Sequence, residues 1–115
     1  MKSVIIILAL LLGSATFNTI TAQIKKETIK VAGNCSSCKK HIEKAALSAG
    51  ATTAVWNKDS KQLKLSYAAT KTSNQKIQQA IANVGYDTPD FKASPTAYDK
   101  LDECCQYERK TSTKN

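Results

Sequence analysis

Gly33-Asn34-Cys35-Ser36-Ser37-Cys38-Lys39-Lys40 joins two kinds of periodicity. Before it, Ile24, Ile29 and Val31 alternate in part with lysines and Thr28, the pattern of a half-buried strand. After it, Cys38, Ile42, Ala45 and Ala49 recur at helical spacing, with Ala46 alongside and Lys39, Lys40, Glu43 and Lys44 on the other side. Gly33 and Asn34 break the strand, Ser36 or Ser37 can cap the helix, and Gly50 is a natural stop. One thiol of the C-x-x-C pair thus falls in a loop and the other in the first helical turn. There the helix dipole and unpaired N–H groups favour a thiolate. Two thiolates on a short loop are soft ligands, suited to Cu(I), Hg(II), Zn(II) or Cd(II). The same spacing also suits a redox disulfide.

Upstream, Lys2, a purely apolar run at 4–12 and a small, polar stretch at 13–22 form the three regions of a secretory signal peptide, with cleavage expected after Ala22. The apolar run is too short for a permanent membrane helix. The chain is therefore expected to be exported, to the periplasm, with no stable membrane insertion once the leader is removed. The chain has 115 residues, enough for one domain. We divide it into a leader at 1–22, a domain at 23–92 and a tail at 93–115 that carries Cys104-Cys105.

Downstream, residues 51–57 read as a strand and 58–61 as a polar turn. Leu63, Leu65 and Tyr67 then alternate with Lys64 and Ser66, so the two runs form a hairpin. Thr72 or Ser73 can cap a second helix with Ile77, Ala80, Ile81 and Val84 on one face, and Gly85 ends it. Residues 86–91 are a short final strand, weakened by Pro89. The order βαββαβ predicts an α+β, ferredoxin-like fold: a four-stranded antiparallel sheet with two helices on one face. Its topology would bring Tyr86 beside Cys35 and Cys38. Ser94-Pro95 starts a short helical tail, and a polar, irregular end follows from residue 108.

Lys and Arg number 17 against 9 Asp and Glu, a net charge of +8. The lysines are spread singly, which describes a solvated basic surface rather than a nucleic-acid site. There is one histidine, and no Ser/His/Asp set, paired carboxylates or Gly-rich phosphate loop, so nothing points to an enzyme.

The four cysteines form two tight pairs, Cys35/Cys38 and Cys104/Cys105. Cross-pairing as disulfides would close a loop of about 70 residues and stabilise the chain. Alternatively Cys104 and Cys105 could complete a three- or four-thiolate metal site with Cys35 and Cys38. His41 extends the pattern to C-x-x-C-x-x-H and could add a ligand for Zn(II). Lys39 and Lys40 would lower the thiolate pKa.

The strand, the C-x-x-C loop, the run Lys39-Lys40-His41-Ile42-Glu43-Lys44-Ala45-Ala46, the hairpin and Val84-Gly85-Tyr86-Asp87 resemble the heavy-metal-associated domain. That family includes copper chaperones, repeats of metal-transporting P-type ATPases and the periplasmic mercury-binding protein. The resemblance implies a soft ion, Cu(I) or Hg(II) foremost, held between Cys35 and Cys38, with Tyr86 close to the metal. It also implies hand-over to a metal transporter or another metal-binding protein. The family usually carries Met two residues before the first cysteine, where this chain has Gly33. A passive scavenger of the ion with no specific partner is a further reading, and a small thiol–disulfide redox carrier is the alternative from another class.

Overall fold

A computed structural model describes residues 23–109. The expected leader and residues 110–115 lie outside the described residues. Strand β1 spans Ile24–Lys30, helix α1 Ser36–Ser48, β2 Thr53–Trp56, β3 Gln62–Ala68, helix α2 Asn74–Asn83 and helix α3 Pro95–Asp99; a 3-10 turn covers Glu103–Cys105. Among these residues no helix is long and apolar enough to cross a membrane.

The sheet is antiparallel with strand order β1-β3-β2. Ile29 opposes Leu63 and Glu27 opposes Leu65 across β1 and β3, while Trp56 opposes Leu63 from the other side. Because side chains alternate along a strand, Ile29, Leu63, Leu65 and Trp56 share one face. They form a single core with Ile42, Ala45 and Ala46 of α1 and Ile77 and Ile81 of α2. The phase of β1 corrects one expectation. Ile24 lies on the wet face, 52 % exposed, and Glu27 takes the place on the core side. Glu27 is tolerated there because the Asn74 amide and Tyr67 hydroxyl donate to its carboxylate at 2.7 and 2.8 Å. Those two bonds also hold its pKa below the usual carboxylate value.

The buried face of α2 is likewise rotated from the expected stripe. Gln78 and Ala82 are buried with Ile77 and Ile81, whereas Val84 is exposed. Gln78 is satisfied in that position by Asn74 and by Asp90, whose backbone N–H donates to its Oε1 at 2.8 Å. Ser73 caps α2 by accepting from the Lys76 N–H at 3.2 Å. Gly85 ends the helix with φ +109°, a left-handed conformation that disfavours other residues.

The expected fourth strand is absent among the described residues. Residues 86–91 reach only the stretch just beyond β1, where the Ala32 N–H donates to the Asp87 carbonyl at 3.1 Å. The segment then closes on itself. The Thr88 N–H and hydroxyl both donate to the Phe91 carbonyl, at 2.8 and 2.9 Å, and the Phe91 N–H donates back to the hydroxyl at 3.2 Å. Pro89 has no N–H to offer a ladder, so the local turn wins.

The C-terminal part packs onto the domain. Tyr98 and Leu101 lie against the core, and Cys105 and Tyr107 belong to it. The irregular end expected from residue 108 is ordered at its start. The Arg109 guanidinium grips the Asp87 carboxylate at 2.9 and 3.1 Å and donates to the Ala93 carbonyl at 2.7 Å.

Candidate metal centre

The cysteine loop is built from the backbone outward. Cys35, not a serine, is the N-cap of α1, in extended conformation at φ −141°. Each cysteine serves the other's backbone. The Cys38 N–H donates to the Cys35 sulfur, while the Asn34 and Cys35 N–H groups donate to Cys38 Sγ at 3.3 and 3.4 Å. For Cys35, an N–H group of the first helical turn pointing at the sulfur favours the thiolate. Accordingly the Cys38 N–H, foremost, brings the Cys35 pKa down to about 6, with help from neighbouring thiols.

Lysines are not among the leading causes of that shift, where the sequence pointed to Lys39 and Lys40. Lys39 is turned toward Glu43 and the Trp56 carbonyl, and Lys40 is exposed. Instead Lys61, at the end of the hairpin turn, donates from Nζ to the Gly33 carbonyl at 2.6 Å and steadies the loop.

Gly33 explains the departure from the usual Met. A Cβ at this position would lie 2.9 Å from the Trp56 ring and 3.2 Å from Ile42 Cδ1. Trp56, 1 % exposed, fills the space beneath the loop and donates from Nε1 to the Val31 carbonyl at 3.0 Å. The support that a methionine would bring from the loop comes here from β2. This role of Trp56 could not be read from its position at the end of a strand. The only hint was an unusually small residue at position 33.

On the opposite side stands Tyr86, fully buried. It ends up beside the cysteines, as the topology required. Burial foremost, and hydrogen bonding to Cys105, push its pKa up. Its hydroxyl lies 3.0 Å from His41 Nδ1. His41 therefore engages the tyrosine and is not among the grouped ligand atoms.

The tail supplies the remaining sulfurs. Cys35 Sγ is 3.5 Å from Cys38 Sγ and 3.8 Å from Cys105 Sγ. All three sulfurs lie within 4.8 Å of one another. All four cysteines are free thiols, so the cross-paired disulfide considered from the sequence is not formed. Cys105 is completely buried, and burial foremost raises its pKa. Cys104 is exposed, 4.0 Å from Cys105 by sulfur, and its thiol pKa is raised chiefly by hydrogen bonding to Cys35. One thiolate, Cys35, is thus surrounded by thiols.

Fold and loop together define a class: small α+β domains that carry a thiol pair where the first strand meets the first helix. No family model and no curated protein matches the chain. Solved structures do. The CopZ metallochaperone superposes with a TM-score of 0.53 at 30 % identity, over 56 % of this chain and 98 % of that one. Oxidized MerP from Ralstonia metallidurans CH34 gives 0.54 at 28 % identity, over 57 % and 94 %. The water-soluble region of the P-type ATPase CopA from Bacillus subtilis gives 0.55 at 27 % identity, over 60 % of this chain and 47 % of that region. The chain belongs to the heavy-metal-associated domain family.

Proposed function

We propose that this protein binds a soft metal ion, Cu(I) or Hg(II) foremost and Zn(II) less well, through Cys35 and Cys38, and passes it on. The carrying observation is the pair of sulfurs 3.5 Å apart at the start of α1, one of them poised as a thiolate. Neighbours named as a metallochaperone, a MerP and the water-soluble region of a P-type ATPase support the reading. Export rests on the leader-like residues 1–22, with residues 23–92 as the working domain and the periplasm as its place.

Hand-over would proceed by thiolate exchange. An incoming partner thiolate joins the ion, a protein thiolate leaves, and the ion moves without ever being free in water. The partner is a membrane metal transporter or a second metal-binding protein. The basic surface, net charge +8, suits an acidic docking face.

The test is competition of Cu(I), Hg(II) and Zn(II) for the reduced chain, with a Cys35→Ser, Cys38→Ser variant as control. We expect one ion bound per chain, in the order Hg(II) and Cu(I) above Zn(II), and none in the variant. Absence of tight binding, together with a reversible Cys35–Cys38 disulfide, would instead establish the redox carrier.

A further inference from the structure

We propose that Cys105 is a third ligand, delivered by the C-terminal strap, so that the ion is held by three thiolates of one chain. The inference rests on the reading that Cys35 and Cys38 bind a soft ion.

Geometry argues for it first. With a metal–sulfur bond of about 2.3 Å, a linear two-thiolate centre holds its sulfurs about 4.6 Å apart, and a planar three-thiolate centre about 4.0 Å apart. The Cys35–Cys38 separation of 3.5 Å is short by more than an ångström for the linear arrangement. The values 3.5 and 3.8 Å, with every pair inside 4.8 Å, lie near the trigonal one. Small outward movements of the sulfurs would seat an ion among them. On binding, it displaces the thiol protons to solvent.

The way the strap is fastened argues for it next. Cys105 sits two residues before Tyr107, whose hydroxyl donates to the Gly85 carbonyl at 2.8 Å and accepts from the Asp87 N–H at 2.9 Å. The Tyr98 hydroxyl donates to the Tyr107 carbonyl, and the two rings meet edge to face at 5.0 Å. Arg109 closes the strap on Asp87. These bonds fasten the strap to the segment that carries Tyr86, on the cysteine side of the domain. A cysteine needed only as a small apolar filler would not require its sulfur to face two others.

The arrangement bears on hand-over. The position that a partner's thiolate would enter is already filled from within. The ion is then retained until the strap thiolate is displaced, and Cys104, exposed beside it, is left outside the set.

The experiment is X-ray absorption at the mercury edge on the full reduced chain loaded with one equivalent of mercuric chloride. We expect three sulfur neighbours in the wild type, two in Cys105→Ser and in Cys105→Ala, and three in Cys104→Ser. Circular dichroism confirms that each variant is folded. Two sulfurs in the wild type, or three retained in folded Cys105 variants, would overturn the inference while leaving the Cys35–Cys38 site intact. Failure of the wild type to take up mercury would instead remove the underlying reading. The wild-type spectrum decides the matter even if a variant fails to fold.

Discussion

The two sides of the sulfur cluster are held in different ways. The C-x-x-C loop is held from below, by an apolar wall: Trp56 beneath Gly33, with Ile42 beside it. The strap is held from above by polar fastenings between Tyr107, Tyr98, Arg109, Asp87 and Gly85. The loop sulfurs are positioned by N–H groups within four residues of them, whereas Cys105 reaches them across 70 residues of sequence. A locally built pair and a tertiary third thiol therefore differ in how they fail. Loss of packing should loosen the whole domain. Loss of a fastening should release one sulfur and leave the pair.

The largest effect is expected from Trp56→Ala. It removes a fully buried ring and the bond to Val31, and should cost about 3–5 kcal/mol in chemical denaturation. Because the ring underlies the loop, the loss should come with weaker metal binding. Retained stability would show that the wall is dispensable. Gly33→Ala presses a methyl group into the same ring and should cost about 1–3 kcal/mol. In a Trp56→Leu background the added cost should shrink, which a double-mutant cycle would measure.

Arg109→Ala tests the other side. It removes a two-pronged bond to a carboxylate that is largely shielded from water, and a cation held 4.8 Å over the Tyr98 ring. A loss of about 1–2 kcal/mol is expected. The more telling readout is thiol accessibility: Cys105 should be alkylated faster, with Cys35 and Cys38 little changed. Equal acceleration at all three thiols would erase the distinction between pair and strap.

The smallest effect is one of pH. In the metal-free, reduced protein, alkylation of Cys35 by iodoacetamide should rise through a midpoint near pH 6, whereas Cys105 stays protected through neutral pH. The Cys35 pKa is lower folded than unfolded. Its contribution to stability is therefore full above the unfolded value of 9.0 and is lost as pH falls through about 6. Cys35→Ser should flatten the pH dependence of stability in that window. An unchanged profile would mean that the cap does not stabilise the thiolate.

The sequence showed the pair more fully than the strap because the pair depends on local rules. Strand-then-helix periodicity, the breaker Gly33-Asn34 and the thiol spacing place Cys35 and Cys38 without knowledge of the rest of the chain. Tyr86 followed from topology. The turn at Thr88 did not: Pro89 weakened the strand, but only the hydroxyl's bonds with Phe91 show what replaced it. The inward places of Glu27 and Gln78 were not legible, because Glu27 is satisfied by Tyr67 and Asn74, 40 and 47 residues away, and Gln78 by Asp90, 12 residues away. The strap was least visible. Tyr98, Tyr107 and Arg109 are spaced in no regular period, and their meaning lies in Asp87 and Gly85.

The absence of a fourth strand among the described residues has a consequence for the protein in concentrated solution. Within the described sheet, β1 is paired only with β3, so its far edge is a row of backbone groups that another chain could join. Lys25, Lys26 and Lys30 stand exposed along that strand. A second copy that approached edge to edge would bring its own three lysines against these. Charge thus does for the open edge what a further strand would have done by covering it.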